Sequence, residues 1–241
     1  MATLDRRAAL LGTLIAFILP LPAVTQEATP SHPPIAKKIS AKLETHGQVR
    51  MDDYYWLNQR SNPDVVAYLE AENAWTKSQM GHTEALQERL FEEIKGRIKQ
   101  TDESVPYYRD GYWYYTRFEE GKSYPIYCRR KGSMDAAEDV MLDANKLAEG
   151  HGFFAVGNWD VSEGRDILAF ATDTVGRRIY TVQFKNLRTG ELYPDVLDSV
   201  TSNIAWANDN KTLFYTKQDP QTLRSHLIYR HELGMDSSND Q

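Results

Sequence analysis

The sequence predicts a mainly β fold: a partial β-propeller preceded by an N-terminal helical segment. Two observations carry this. From Val105 onward, short runs of aromatic and β-branched residues alternate with turn signals, beginning with "PYYRDGYWYYTRF" and "SYPIYCRR". The same unit then recurs in "GRDILAFATDTVGRRIYTVQFKNLRTGE" and "DNKTLFYTKQDPQTLRSHLIYRHELG".

Each copy has a polar turn, an apolar strand ending in Thr (Thr116, Thr172, Thr216), a polar loop, and a strand ending in basic residues. The threonines lie 56 and then 44 residues apart, close to the length of one four-stranded blade. Trp159 and Trp206 precede the second and third copies in comparable positions, as expected of the inner strand of each blade. About two and a half blades are present. A plain antiparallel meander or a sandwich is the alternative that periodicity leaves open.

Composition narrows the function classes. The 241 residues are 41% hydrophobic and 26% charged, which suits a globular chain. Lys and Arg (28) are outnumbered by Asp and Glu (34), and they form no basic run, so nucleic acid is not expected as a partner. The single cysteine, Cys128, forbids an intrachain disulfide. No Cys or His spacing suggests a metal, and no cofactor is expected. His226 and His231 lie on one predicted strand, five residues apart, and are read as solvated.

Residues 1–25 read as a signal peptide. Arg6 and Arg7 precede an apolar run from Ala8 to Leu19, and Ala23 and Thr25 are spaced like an export cleavage site. Export to the periplasm is the expectation, without stable membrane association once the signal is removed. The arginine pair also fits a twin-arginine signal loosely. An uncleaved anchor, or a start upstream of a cytoplasmic protein, is the alternative. The run is short for a bilayer span and is broken by Pro20 and Pro22.

A Pro-rich linker covers residues 26–36, and a helical segment is expected over 37–104. Asn62-Pro63-Asp64 is a helix start: Asn caps a free N–H, Pro suits the first helical position and Asp favours the positive dipole end. A helix is predicted over Pro63 to Met80, with Val65, Tyr68, Leu69 and Trp75 as its apolar stripe. A second is predicted from Thr83 to Lys99, with Leu86, Leu90, Ile94 and Ile98 at i, i+4 spacing and Phe91 beside them. Both are read as amphipathic and in need of a surface. Tyr54, Tyr55 and Trp56 read as a staple holding the incoming chain to that surface. The neighbouring Asp52 and Asp53 are disfavoured as an acid-base pair, because adjacent side chains rarely point the same way.

The runs "RMDDYYWL", "NPDVVAYLEAENAW", "LFEEIKGRIKQTDESVPYYRDGYWYYTRFEEGKSYPIYCRR", "LDANKLAEG", "DTVGRRIYTVQFKNLRTGELYPDVL" and "WANDNKTLFYTKQDPQTLRSHLIYRHELG" together resemble the N-terminal half of oligopeptidase B, in the prolyl oligopeptidase family of serine peptidases. The resemblance runs from about Pro34 to Gly234. It implies a helical segment packed on an α/β-hydrolase domain and a seven-bladed propeller, beginning here over 105–241, that caps the active site and admits only short peptides. The substrate class it implies is short basic peptides, cleaved after Arg or Lys. Asp53, Tyr55 and Trp56 would then dock the start of the chain onto the hydrolase domain. Arg177 and Arg178 match an arginine pair in the family's second blade, a candidate for charged contacts across the domain interface or for plain solvated surface.

No G-x-S-x-G nucleophile motif occurs in the 241 residues. "GKSYP" around Ser123 and "KGSMD" around Ser133 lack the second glycine, so no residue is assigned a catalytic role. The expectation is a chain without its catalytic α/β-hydrolase domain, from a truncated frame or a split gene, inactive alone and prone to aggregate through an open sheet edge. The alternative is a stand-alone exported binding or scaffold module.

Overall fold

The computed structural model describes residues 32–241, so the signal peptide read over residues 1–25 lies outside the described residues. The described residues divide into two compact units, 32–95 and Gly96–Gln241.

In the first unit, strands β1 (Ala41–Thr45) and β2 (Gln48–Asp52) form an antiparallel hairpin, and a 3-10 turn follows at Tyr55–Asn58. Helix α1 spans Pro63–Met80. Its start is built as the sequence dictates: the Asn62 side chain accepts from the Asp64 N–H at 3.0 Å, and Pro63 sits at a position whose missing N–H costs nothing.

Two expectations for this unit need correction, the end of the second helix and the aromatic staple. Helix α2 spans Glu84–Gly96, so it stops short of Lys99, and Ile98 lies beyond its end. Gly96 carries a large entropic cost in a helix and marks the end. The apolar residues of the two helices are mostly uncovered within the unit. Only Val65 of α1 is buried, and Leu86, Leu90, Phe91 and Ile94 of α2 are exposed. Of the aromatic staple only Trp56 is buried. Its ring meets Tyr68 edge-on at 6.3 Å, and its indole N–H donates to the Lys37 carbonyl at 2.9 Å, whereas Tyr54 and Tyr55 are exposed.

The second unit is the repeat. Sheet one is β3 (Tyr107–Arg109), β4 (Tyr112–Arg117), β5 (Ile126–Lys131) and β6 (Glu138–Asp143). After the short helix α3 (Ala144–Leu147), sheet two is β7 (Ala155–Val161), β8 (Ile167–Asp173), β9 (Tyr180–Asn186) and β10 (Leu192–Val200). Sheet three is β11 (Ile204–Trp206), β12 (Thr212–Gln218) and β13 (Ser225–Glu232). Every pairing is antiparallel between sequence neighbours, the order of a propeller blade. The repeated threonines fall on the second strand of each sheet, and Trp159 and Trp206 fall on the first.

The sheets stack face to face through two apolar layers. Tyr114, Met141 and Leu142 of sheet one meet Val161, Leu168 and Phe170 of sheet two. Ala169, Ala171, Val182, Phe184 and Leu197 of sheet two meet Leu213 and Tyr215 of sheet three. Alternate residues of β8 thus supply the two layers, as the two faces of one strand must. Polar ties cross the same seams. The Lys185 ammonium donates to the Met141 carbonyl at 2.9 Å, Arg129 donates to the Arg165 carbonyl at 2.7 Å, and the Trp206 indole N–H donates to the Asp160 carbonyl at 3.2 Å.

The largest departure from the sequence reading is His231, which is fully buried. Its Nδ1 lies 2.8 Å from Asp240 and its Nε2 lies 3.1 Å from Asp195 of β10, joining sheet three to sheet two; its ring stacks on Phe184 at 5.7 Å. Tyr215 donates its hydroxyl to Asp240 at 2.8 Å, and Gly234 donates its N–H to Asp195 at 2.5 Å. His226, by contrast, is exposed. Next to this cluster, Gln241 exchanges both backbone hydrogen bonds with Arg230, placing one further residue along the outer edge of β13.

His231→Ala leaves two buried carboxylates without their shared partner and is expected to cost about 3–5 kcal/mol. A urea unfolding midpoint equal to that of the unaltered chain would contradict the role given to this cluster. Gly157 sits at a bulge in β7, where an added Cβ would overlap the Tyr180 ring and lie 2.8 Å from the Ser202 Cβ. Gly157→Ala is therefore expected to lower the melting temperature of the second unit, unlike Gly190→Asn, whose site is open and at positive φ.

Candidate functional site

One end of the stacked sheets gathers the residues that carry chemistry. The pairing of Ala155 with Asp173 and of Val200 with Tyr180 puts the start of β7, the end of β8, the start of β9 and the end of β10 together. The loop 174–179, which holds Arg177 and Arg178, is therefore at the end where the chain enters each sheet.

Asp173 builds this loop. Its carboxylate is buried and accepts N–H groups from Val175 (2.8 Å), Gly176 (2.9 Å) and Arg178 (2.7 Å). Burial alone would push its pKa up, but this ring of backbone donors outweighs burial and holds the pKa below the ordinary carboxylate value. Gly176 and Arg178 take positive φ, of 83° and 57°, to aim their N–H groups inward. From sheet three, Gln218 donates to the Arg178 carbonyl at 2.8 Å. The backbone is thus fixed from two sides while both arginine side chains stay exposed.

Beside the loop lies a cavity of about 380 Å³ lined by Thr172, Thr174, Arg177, Tyr180, Thr181 and Asp198, among others. It opens because β10 carries a bulge between Leu197 and Val200, with Ser199 at φ 57°. Thr181 donates its hydroxyl to Asp198 at 2.8 Å. Sequence reasoning singled out Arg177 and Arg178 but missed Asp173 and Asp198. For Asp173 a local signal existed, since Asp followed three residues later by Gly in "DTVG" is the pattern of a side chain closing its own turn.

Asp53, Tyr55 and Trp56 belong to the first unit. The Asp53 carboxylate accepts from the Ser40 hydroxyl, and its carbonyl accepts from the Ile39 N–H at 2.9 Å. Asp52 turns instead to the Tyr54 N–H at 3.0 Å and to Arg50, so the two acids serve separate backbone segments. Of the two serines near glycine, Ser123 lies in the loop ahead of β5, and Ser133 accepts the Asp135 N–H within a turn. His231 cannot serve either as a base, because both its ring nitrogens face carboxylates.

The Asp173 cradle sets an acid dependence with a definite sign. A carboxylate whose folded pKa is depressed contributes stability that is present above its unfolded value, near about 3.9, and is lost as pH falls through the lower folded value. Asp173→Asn is expected to be less stable than the unaltered chain at pH 7 by about 1–3 kcal/mol. The gap should narrow as pH drops below about 4. Urea midpoints measured across that range check it, and a gap independent of pH would contradict it.

The comparisons bear on this arrangement as a whole. Residues 33–241 match the model of the prolyl oligopeptidase N-terminal beta-propeller domain. The chain is 44% identical to dipeptidyl aminopeptidase BI of Pseudoxanthomonas mexicana, over 90% of this chain and 32% of that relative. It is 35% identical to protease 2 of Moraxella lacunata, over 86% of this chain and 31% of that relative. Among solved structures, oligopeptidase B from Leishmania major superposes with a TM-score of 0.82 at 30% identity, over 88% of this chain and 32% of that one. The chain spans about a third of the length of these relatives. With this match to the propeller model and the stacked antiparallel sheets, the chain belongs to the prolyl oligopeptidase family, within the region of its N-terminal β-propeller domain.

Proposed function

We propose that this chain is the helical and propeller portion of an oligopeptidase B-like serine peptidase, exported to the periplasm, that hydrolyses short peptides after Arg or Lys. The observation that carries the reading is the superposition on Leishmania major oligopeptidase B, with a TM-score of 0.82 over 88% of the chain. The nucleophile, its base and the oxyanion donors come from an α/β-hydrolase domain, since these 241 residues contain no G-x-S-x-G. The propeller's task is to limit access by size, and the acidic balance of the chain, a formal net charge of -6, attracts basic peptides at long range.

Two places are suited to hold the hydrolase domain. The uncovered apolar residues of α2, with the exposed Tyr55 beside the incoming chain, offer an apolar dock. Arg178, on a loop already held by Asp173, offers charge for an opposing carboxylate.

The 44% identity to dipeptidyl aminopeptidase BI favours a second reading of the same chemistry, release of dipeptides from a free N-terminus. One experiment separates these. The chain is mixed with a separately expressed α/β-hydrolase portion from the Pseudoxanthomonas relative and assayed on two substrates, an N-blocked arginyl amide and a dipeptidyl amide with a free amine. Hydrolysis of the blocked substrate by the mixture and by neither part alone supports the first reading. Hydrolysis of only the free-amine substrate supports the second. Hydrolysis by the purified chain alone contradicts both.

A further inference from the structure

We infer that the cavity beside the Asp173 loop is a subsite for a carboxylate of a short peptide, anchored by Arg177. The inference rests on the peptidase reading above for its ligand class, and on the geometry of sheet two for everything else.

Arg177 lines the cavity, and its guanidinium has no ion-pair partner among the described residues. A planar guanidinium of this kind suits bidentate pairing with a carboxylate. Its backbone does not need to be ordered on binding. Asp173 fixes the N–H groups on either side of it, and Gln218 fixes the next carbonyl, so the backbone share of the ordering cost is met in folding and only the side chain is ordered on binding.

The rest of the lining defines the ligand further. The Thr174 and Ser199 hydroxyls supply short polar contacts, while Val175, Ile179 and the Tyr180 ring supply apolar wall. Asp198 lines the same space and is bound to the Thr181 hydroxyl alone. Asp198 offsets the charge of Arg177 within the lining, so the ligand is held by directional pairing with the guanidinium and not by a net positive field. A volume of about 380 Å³ is larger than a lone anion needs and lies at the low end of the range for small organic ligands. A carboxylate attached to a residue with an apolar side chain fits all three conditions. Arg178 is excluded from this role: it stands at positive φ and does not line the cavity.

The test is binding to the purified 241-residue chain by isothermal titration calorimetry, with no hydrolysis required. Four probes are compared: an N-acetylated tetrapeptide with a free carboxy terminus, the same peptide as its amide, an amidated peptide with one internal Glu, and acetate. The free acid is expected to bind at least about tenfold more tightly than the plain amide, and acetate to bind more weakly than the peptide acid. Binding of the Glu peptide at the strength of the free acid means the site takes a side-chain carboxylate as well as a terminal one; weaker binding assigns it to the chain terminus. Arg177→Gln should remove the difference between acid and amide. Arg178→Asn, which tolerates positive φ, should keep it.

Equal binding of acid and amide, absence of binding by both, or loss of the difference in Arg178→Asn but not in Arg177→Gln overturns the subsite. Circular dichroism melts of both variants matching the unaltered chain show that the loop still folds. Hydrolysis in the mixed-domain assay without discrimination here overturns the subsite alone. Discrimination here without hydrolysis there overturns the peptidase reading alone.

Discussion

The structure of the second unit depends on one constraint: a twisted antiparallel sheet with two apolar faces has to be covered on both. Sheet two meets this condition. Leu168 and Phe170 on one face of β8 and Ala169 and Ala171 on the other are all fully buried, because sheets one and three stand against them. Removing fully buried side chains of this size from water is worth about 1.5–3 kcal/mol each for the larger ones. The polar ties that cross the two seams answer a second need. Stacking closes backbone carbonyls such as Met141 and Asp160 off from water, and Lys185 and Trp206 give those groups a donor from the facing sheet.

What the sequence reveals of this follows from how local each cause is. The start of α1 rests on three adjacent residues, Asn62, Pro63 and Asp64, and each acts within one turn. The Asp110-Gly111 turn between β3 and β4 is equally local, with Asp110 at φ 48° and Gly111 at φ 88°. The recurring threonine was legible as a period, and its position has a backbone role that any residue could fill: the Thr116 carbonyl accepts the Ser104 N–H at 2.8 Å and the Thr216 carbonyl accepts the Thr201 N–H at 2.9 Å. In sheets one and three it thus fastens the segment that leads into the first strand to the second strand of the same sheet.

His231 was not legible, and the reason is distance along the chain. One of its partners, Asp195, lies in the preceding sheet, and the other, Asp240, lies past a turn; neither stands at a spacing that any strand pattern marks. A histidine on a strand with polar neighbours reads as solvated unless the facing sheet is known. The apolar stripe of α2 is legible in a different way. Its i, i+4 spacing is real, yet Leu90 and Ile94 are exposed, because periodicity reports that a face wants cover and says nothing about which element supplies it.

The Arg177 and Arg178 loop joins the two kinds of cause. Its shape is local, since Asp173 folds five residues around its own carboxylate through backbone bonds of 2.7 to 2.9 Å. Its surroundings are not local, since the cavity lies beside a register shift of β10 between Leu197 and Val200, where Asp198 still accepts the Thr181 hydroxyl of β9. Had β10 kept a regular register through Ser199, side chains opposite Tyr180 would stand on the ladder rather than off it, and the space beside Arg177 would not open. The same irregularity that breaks pairing at the end of sheet two thus creates room for a ligand. It does so beside a loop whose backbone is anchored by Asp173 while the Arg177 side chain stays exposed, so the irregularity of β10 and the Asp173 turn together shape this end of the sheet.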